Sequence, residues 1–463
     1  MGPSGPGMIL PAHAGDRPKA TRVKQHLDST VDLGRQLSAV ITAFMLPITT
    51  SGTAIALSFL IIFTLLSTSR ADWRSTLQHP SATLPLALFG VVAISMLWSP
   101  TPFGPGGASH YTKLLLIPVL MAGNFNSRQA MHIACGFAVA CTLLLALSLA
   151  SLSWPSGPWG WFKATGIPVK DNAVQSTCFS LCSFGLAVCS VRLSHANKKP
   201  EGICTSLLAI LLFADVFVIP LSKTGMLIAG ALAVRLLAFI DGWRHRFAIA
   251  IPLCLVASLA VTFSDQAQRR VAEIETDLHA MNVSQGSTQA SSTTPESKQA
   301  KTAPAEKPTM STASRLDFWE KAIEFVKQAP IIGHGAGSTK SLYASLEADR
   351  PSPYGQAVPD PHNQFLAIAI QAGLLGGAVL VVMWTVHLGF FMGQSIPHLF
   401  GQAIVLQNVL GSLFNSQLSQ VTQGVLYCLA VGLLGSLLRQ EQSVRQGPGR
   451  SMPAPALECL SNE

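Results

Sequence analysis

The sequence predicts an all-α polytopic membrane protein with about twelve transmembrane helices and one large extracytoplasmic loop. Three observations carry this. Charged residues make up only 12% of the 463-residue chain and apolar residues 49%, whereas a soluble domain holds about 25% charged residues; the mean hydropathy is +0.40. Apolar runs of about 20 residues, the length that crosses a bilayer, recur along the chain. Basic residues concentrate in alternate loops, as the positive-inside rule requires.

The predicted spans lie near 34–49, 52–68, 82–98, 111–124, 130–152, 173–191, 204–220, 223–240, 247–264, 363–392, 397–414 and 421–438. The fourth is short, and the tenth is long enough to tilt or to extend beyond the bilayer. Residues 1–33, with Arg17, Lys19, Arg22 and Lys24, read as a cytoplasmic leader and not as a signal peptide. With that end inside, the inner loops and span ends hold Arg70, Arg74, Arg128, Arg192, Lys198, Lys199, Arg235, Arg244 and Arg246. The tail 439–463 adds Arg439, Arg445 and Arg450, while the short outer segments hold only Lys113, Lys163, Lys170 and Lys223. Both termini are therefore expected in the cytoplasm.

The net charge of +8 is spread over span ends and forms no single patch, which argues against a nucleic-acid partner. Eight of the nine cysteines lie in or beside apolar runs, Cys459 lies in the tail, and none falls within 265–361. They read as small buried residues, neither a disulfide framework nor metal ligands.

Residues 265–362 form the large outer loop. Its middle, 283–312, is rich in Ser, Thr, Ala, Gln, Pro and Lys and is expected to be disordered, since it cannot bury a core. Beyond it Leu316, Trp319, Ala322, Ile323 and Val326 recur at helical spacing. They predict an amphipathic helix over the outer membrane face, ended by Pro330.

The outer face also carries the candidate chemistry. Four histidines are available there: His110, His279, His334 and His362. His362 stands where the loop re-enters the membrane, between the two prolines of Pro359-Asp360-Pro361 and a new span, a suitable place for a proton-transfer group; the plain alternative is an interfacial or capping histidine. His334 lies in the turn Gly333-His334-Gly335. Lys223, Lys113 and Arg315 are cations kept on the face that short loops usually leave without them. They suit an anionic ligand such as a lipid diphosphate, against the simpler role of snorkelling to headgroups. Asp215 falls within a span and is a functional candidate on that ground, with pairing to a neighbouring helix as the ordinary reading. Gly373-Leu374-Leu375-Gly376-Gly377 reads as a surface for close helix packing. Trp154, Trp159 and Trp161 read as interfacial anchors. Loops 49–51 and 99–110 contain no Asp or Glu, and no Walker or zinc motif is present; neither a metal nor a cofactor is expected.

Two stretches resemble the O-antigen ligase and polymerase superfamily. One is Pro361-His362-Asn363-Gln364-Phe365-Leu366 followed by Gly373-Leu374-Leu375-Gly376. The other is Arg315-Leu316-Asp317-Phe318-Trp319 followed by Pro330-Ile331-Ile332-Gly333-His334-Gly335. Ser222-Lys223-Thr224 resembles the family's Ser-Arg-Thr turn with Lys in place of Arg, which cannot grip phosphate bidentately. The resemblance is specific over about 220–240 and 313–380.

What the resemblance implies is a metal-independent glycosyltransferase of a Gram-negative inner membrane. It would move a glycan from undecaprenyl diphosphate to the lipid A-core oligosaccharide at the periplasmic face. His362 would be catalytic, and Arg315, Lys223, Lys113, His334 and Asn363 would bind substrate. The ligase is favoured because one outer loop dominates and the tail is short; segment 151–172 is a modest second loop. An O-antigen polymerase extending the lipid-linked glycan and a protein O-oligosaccharyltransferase are the alternatives within the superfamily. A transporter of lipid-linked glycans is the alternative outside it, although the paired halves such a protein should show are not found.

Overall fold

The computed structural model describes residues 19–156, 162, 166–219, 222–263, 268, 312–350 and 360–446. His279, Trp159, Trp161, Lys163 and nearly all of 283–312 lie outside these residues. Among the described residues the regular elements are all helices, with no strand.

The helices run in order α1 Lys19–Met45, α2 Thr50–Ser67, α3 Arg70–Thr76, α4 Pro80–Ile94, α5 Leu116–Ala122, α6 Ser127–Ser153, α7 Asn172–His195 and α8 Lys199–Val218. They continue as α9 Lys223–Phe239, α10 Trp243–Phe263, α11 Thr312–Gln328, α12 Thr339–Asp349, α13 Gln364–Phe390, α14 Ile396–Ser412 and α15 Val421–Gln446. Seven of these are long and apolar enough to cross a membrane: α2, α4 with its 3-10 extension to Trp98, α6, α7, α8, α13 and α15. The expected fourth span takes another form, a 3-10 stretch Ala108–Leu115 leading into the seven-residue α5. Pro118 contributes to this, because it has no N–H to bond back to residue 114, and a regular α-helix can begin only just before it.

Composition separates inner from outer helices. The apolar windows of α15 and α7 are 83% and 78% buried, and that of α2 only 22%. On α2 the exposed Ile55, Phe59, Ile62 and Leu66 recur every three or four residues, which makes one lipid-facing stripe. On α7 small residues take the interior: Ser176, Thr177, Cys178, Ser180, Cys182 and Ser183 are all buried. The hydroxyls of Ser183 and Ser190 donate to the carbonyls of Ala209 and Gly202 on α8, each at 2.7 Å, and close the helix pair where apolar packing alone supplies little drive.

The stretch read as a helix-packing surface has a different job. At Gly373 α13 breaks, with φ 67° and ψ −172°. The amides of His334 and Gly335 donate to the freed carbonyls of Ile370 and Gln371, at 2.8 and 2.9 Å. The freed amides of Leu374 and Leu375 donate in turn to Pro330 and Ile331, at 2.8 and 3.4 Å. The turn after α11 is thus stitched into the gap, so these four backbone groups at the break keep a partner, as irregular backbone at membrane depth requires. A third segment locks the pair: Trp98 Nε1 donates to Gly333, Ser99 Oγ to Ala336 and Thr101 Oγ1 to Gly337, at 3.2, 2.7 and 2.9 Å. This knot fixes the ends of α4 and α11 relative to the break in α13.

Candidate functional site

The amphipathic helix α11 carries Arg315, Phe318 and Trp319 on one face, by the i, i+3, i+4 rule. Phe318, Ala322 and Phe325 pack with Tyr343 of α12 and Ile370 of α13 into a small separate core. Lys321 sits between Asp317 and Glu347, 3.0 Å from each, and clamps α11 to α12. Trp319 Nε1 donates to the Pro361 carbonyl at 3.0 Å, which docks this face against the strap leading into α13.

On that strap His362 adopts φ +53°, a left-handed conformation that non-glycine residues seldom take. Its backbone amide donates to Asp360 Oδ1 at 2.9 Å, an Asx-type turn, and Ser416 Oγ donates to the same carboxylate. Asn363 then caps α13, its Oδ1 accepting from the Leu366 amide at 3.1 Å. Its Nδ2 donates to the Leu413 carbonyl at 3.1 Å. The imidazole Nδ1 lies 3.3 Å from Asn415 Oδ1, and its ring centroid 6.2 Å from that of Phe318.

His362, Arg315 and Lys223 line one cavity of about 1140 Å³. Three of the sequence-predicted residues therefore come together. Lys113 does not line it: its Nζ donates to the carbonyls of Ser419 and Gln420 at 3.1 and 2.8 Å and holds the segment before α15. His334 does not line it either; its Nε2 lies 2.8 Å from the Phe325 carbonyl, within the knot. Asn363 is turned to capping and bracing. Asp215, buried in α8, accepts from Ser148 Oγ and Gln175 Nε2 at 2.8 and 3.2 Å, the pairing with neighbouring helices that was the ordinary reading.

The cavity also contains residues that were not singled out as site residues. His110 and Lys170 line it, as do Gln423 from the first turn of α15 and Asn415, Ser419 and Gln420 from the connection between α14 and α15. A signal existed for the last group, since Asn415-Ser416-Gln417-Leu418-Ser419-Gln420 is a polar run between two apolar helices. Gln364 fixes this connection, its Oε1 accepting from the amides of Leu418 and Ser419 at 2.7 and 3.2 Å.

The electrostatics favour an anion. Four helices, α2, α7, α9 and α15, present their first residues to the cavity: Thr50, Asn172 to Val174, Lys223 and Thr224, and Val421 to Gln423. Helix N-termini carry partial positive charge and spare amides. Arg315 Nε is buried without a hydrogen-bond partner among the described residues, and burial lowers the guanidinium's pKa, so an anion in the cavity would meet a partly desolvated cation. His110 is held below its usual pKa by burial and then by Lys113, against the pull of Asp360, so it is a neutral imidazole near pH 7. The two carboxylates that line the cavity are already engaged: Asp171 Oδ1 caps α7 by accepting from the Val174 amide at 2.8 Å, and Asp360 holds the strap.

Residues 208–381 match the family model described as O-antigen ligase, a segment that contains α9, the loop helices, the strap and most of α13. An uncharacterized protein of Haemophilus influenzae is 27% identical over 89 residues, 19% of this chain. The chain spans 22% of the length of that relative.

Proposed function

We propose that this chain, whose residues 208–381 match the family model described as O-antigen ligase, is an O-antigen ligase. It transfers a glycan from undecaprenyl diphosphate to the lipid A-core oligosaccharide at the periplasmic face of a Gram-negative inner membrane, with twelve crossings and both termini in the cytoplasm. One observation carries the reading: His362 and Arg315, whose buried Nε has no hydrogen-bond partner among the described residues, line the same cavity, at which four helix N-termini converge.

In this account the donor's diphosphate lies against Arg315 and Lys223. A guanidinium held in a low-dielectric site opposes the charge that grows on the leaving diphosphate, where pre-placed electrostatics help most. The tautomer of His362 that donates from Nδ1 to Asn415 leaves a lone pair on Nε2. Nε2 takes the proton of the acceptor hydroxyl as that oxygen bonds to the anomeric carbon. The bond from this carbon to the phosphate oxygen breaks, and its electron pair leaves with the diphosphate. A single displacement inverts the anomeric configuration. No metal is needed in this scheme, because the cations of the chain carry the leaving-group charge and both cavity carboxylates have other partners.

The test is transfer by purified protein in detergent with chelator present, given undecaprenyl-diphosphate-linked glycan and deep-rough lipopolysaccharide. A laddered or shifted lipopolysaccharide band supports the ligase. Longer glycan on the lipid carrier, with unchanged lipopolysaccharide, makes the protein a polymerase. Neither product from folded protein moves the reading to a protein acceptor or to transport.

A further inference from the structure

The cavity has more than a cationic lining. Its volume of about 1140 Å³ exceeds the range of about 300–1,000 Å³ that encloses a drug-sized ligand, so a diphosphate fills only part of it. Neutral polar side chains line it as well. His110 comes from the 3-10 stretch Ala108–Leu115, Gln420 from the connection before α15, and Gln423 from the first turn of α15.

Gln423 is only 2% exposed, yet its side-chain amide has no hydrogen-bond partner among the described residues. The amide atoms are not sealed inside the protein as Arg315 Nε is, so the small surface that Gln423 keeps includes its amide and opens on the cavity. Buried amides in folded proteins are nearly always hydrogen-bonded. A primary amide offers two donors and an acceptor oxygen. A phosphate has no hydrogen for that oxygen to accept; a sugar hydroxyl both donates and accepts.

His110 presents a similar group. Its Nδ1 is sealed in the protein without a partner among the described residues, which leaves Nε2 as the ring nitrogen open to the cavity. A second proton on the ring would bury an unpartnered N–H, so the imidazole meets a ligand as a neutral group. Both residues are firmly mounted. Tyr111, next to His110, accepts at its hydroxyl from Gln364 Nε2 and Ser419 Oγ, each at 3.1 Å. Together with the bonds from Lys113 to the Ser419 and Gln420 carbonyls, this rivets the 3-10 stretch to the connection that leads into α15. Thr422 Oγ1 accepts from Lys170 Nζ at 2.8 Å and fixes the residue beside Gln423. Polar groups held this way are set before the ligand arrives.

We infer that Gln423 and His110 form a sugar-recognition wall, hydrogen-bonding the hydroxyl groups of the sugar attached to the diphosphate. The inference rests on the donor reading proposed above and adds which residues read the glycan. Selectivity for a sugar-bearing lipid then belongs to neutral groups and is separable from the charge of Arg315 and Lys223. A site built to hydrogen-bond a hydroxyl rejects a ligand that lacks it, because the site's own polar groups stay unpaired.

The experiment measures Kd, on full-length protein in detergent, for undecaprenyl-diphosphate-linked glycan and for undecaprenyl diphosphate without sugar. Gln423→Leu, similar in size but without the amide, weakens binding of the glycan-bearing lipid about tenfold and leaves the sugarless lipid within about twofold. His110→Leu does the same, and His110→Gln, which returns a neutral donor near the Nε2 position, restores most of the affinity. A cavity that is merely distorted loses both lipids together. Equal loss for both lipids, or no loss for the glycan-bearing one, overturns the sugar wall while binding by wild type upholds the donor reading. If wild type binds neither lipid, the donor reading falls and the free glycan released from its lipid decides. Saturable binding of that glycan, weakened about tenfold in Gln423→Leu, supports the wall; no binding, or binding equal in the variant, overturns it.

Discussion

Replacing Gly373 by Ala tests the stitched break that positions the strap. An added Cβ would stand 2.0 Å from the Ile331 carbonyl oxygen and 2.5 Å from the Ile332 nitrogen. These are backbone atoms, so no rotamer change relieves the clash. The local φ and ψ of 67° and −172° fall in a region essentially reserved for glycine, and cost any other residue about 1–3 kcal/mol. If the turn retreats, the bonds from Leu374 to Pro330 and from Leu375 to Ile331 are lost, at about 0.5–1.5 kcal/mol each. The sum is a destabilisation of about 4 kcal/mol, in the range reserved for specific structural faults. Thermal unfolding in detergent, followed by exposure of the buried thiols of Cys141, Cys178, Cys182 and Cys428, should show a midpoint lower by on the order of 5 °C or more. Gly389→Ala in the same helix, where the methyl meets nothing within 4 Å, should be neutral or slightly stabilising. A Gly373→Ala midpoint within about 1 °C of wild type would refute the stitched-break account.

Three further outcomes follow from the site. Asn415→Ala removes the group facing His362 Nδ1 and should lower kcat about tenfold with donor KM unchanged, read by steady-state transfer. Lys321→Ala leaves Asp317 and Glu347 facing each other without their cation and should cost about 3 kcal/mol in the thiol-exposure assay. The two carboxylates raise the Lys321 pKa above its usual value. On the alkaline side the clamp's contribution is therefore present up to the unfolded lysine value of about 10.4 and is lost as pH rises through the higher folded value, so there the mutant and wild type should converge in strong alkali. Deletion of residues 285–309 should spare transfer; loss of activity in a correctly inserted, folded deletion protein would refute that.

Much of the architecture was legible because lipid imposes simple rules. Runs of about 20 apolar residues must be helical, and the expected starts of α2, α7, α9 and α15 fall within a few residues of the observed ones. The strap was legible because Pro361-His362-Asn363 combines a restricted backbone, a titratable ring and a helix cap in three residues. The break at Gly373 was not, because residues 364–390 read as one uninterrupted apolar run and the partner turn lies some 40 positions earlier. The helix Thr339–Asp349 was missed although Leu342, Tyr343 and Leu346 carry its buried face. Lys113 and Lys170 show a second limit. Both are lysines on the expected outer face, and hydropathy treats them alike. Only the fold shows that Lys113 ties down the Ser419–Gln420 backbone outside the cavity lining while Lys170 lines the cavity.

The central claim is that His362 takes the proton during transfer and does not hold the donor. The most direct measurement is donor binding and single-turnover transfer, side by side, for wild type and His362→Ala. The account predicts that the variant binds undecaprenyl-diphosphate-linked glycan with a Kd within about twofold of wild type and transfers it slower by about 10²–10⁴-fold. Loss of donor binding together with transfer would make His362 a phosphate ligand, and transfer at the wild-type rate would remove it from the reaction altogether.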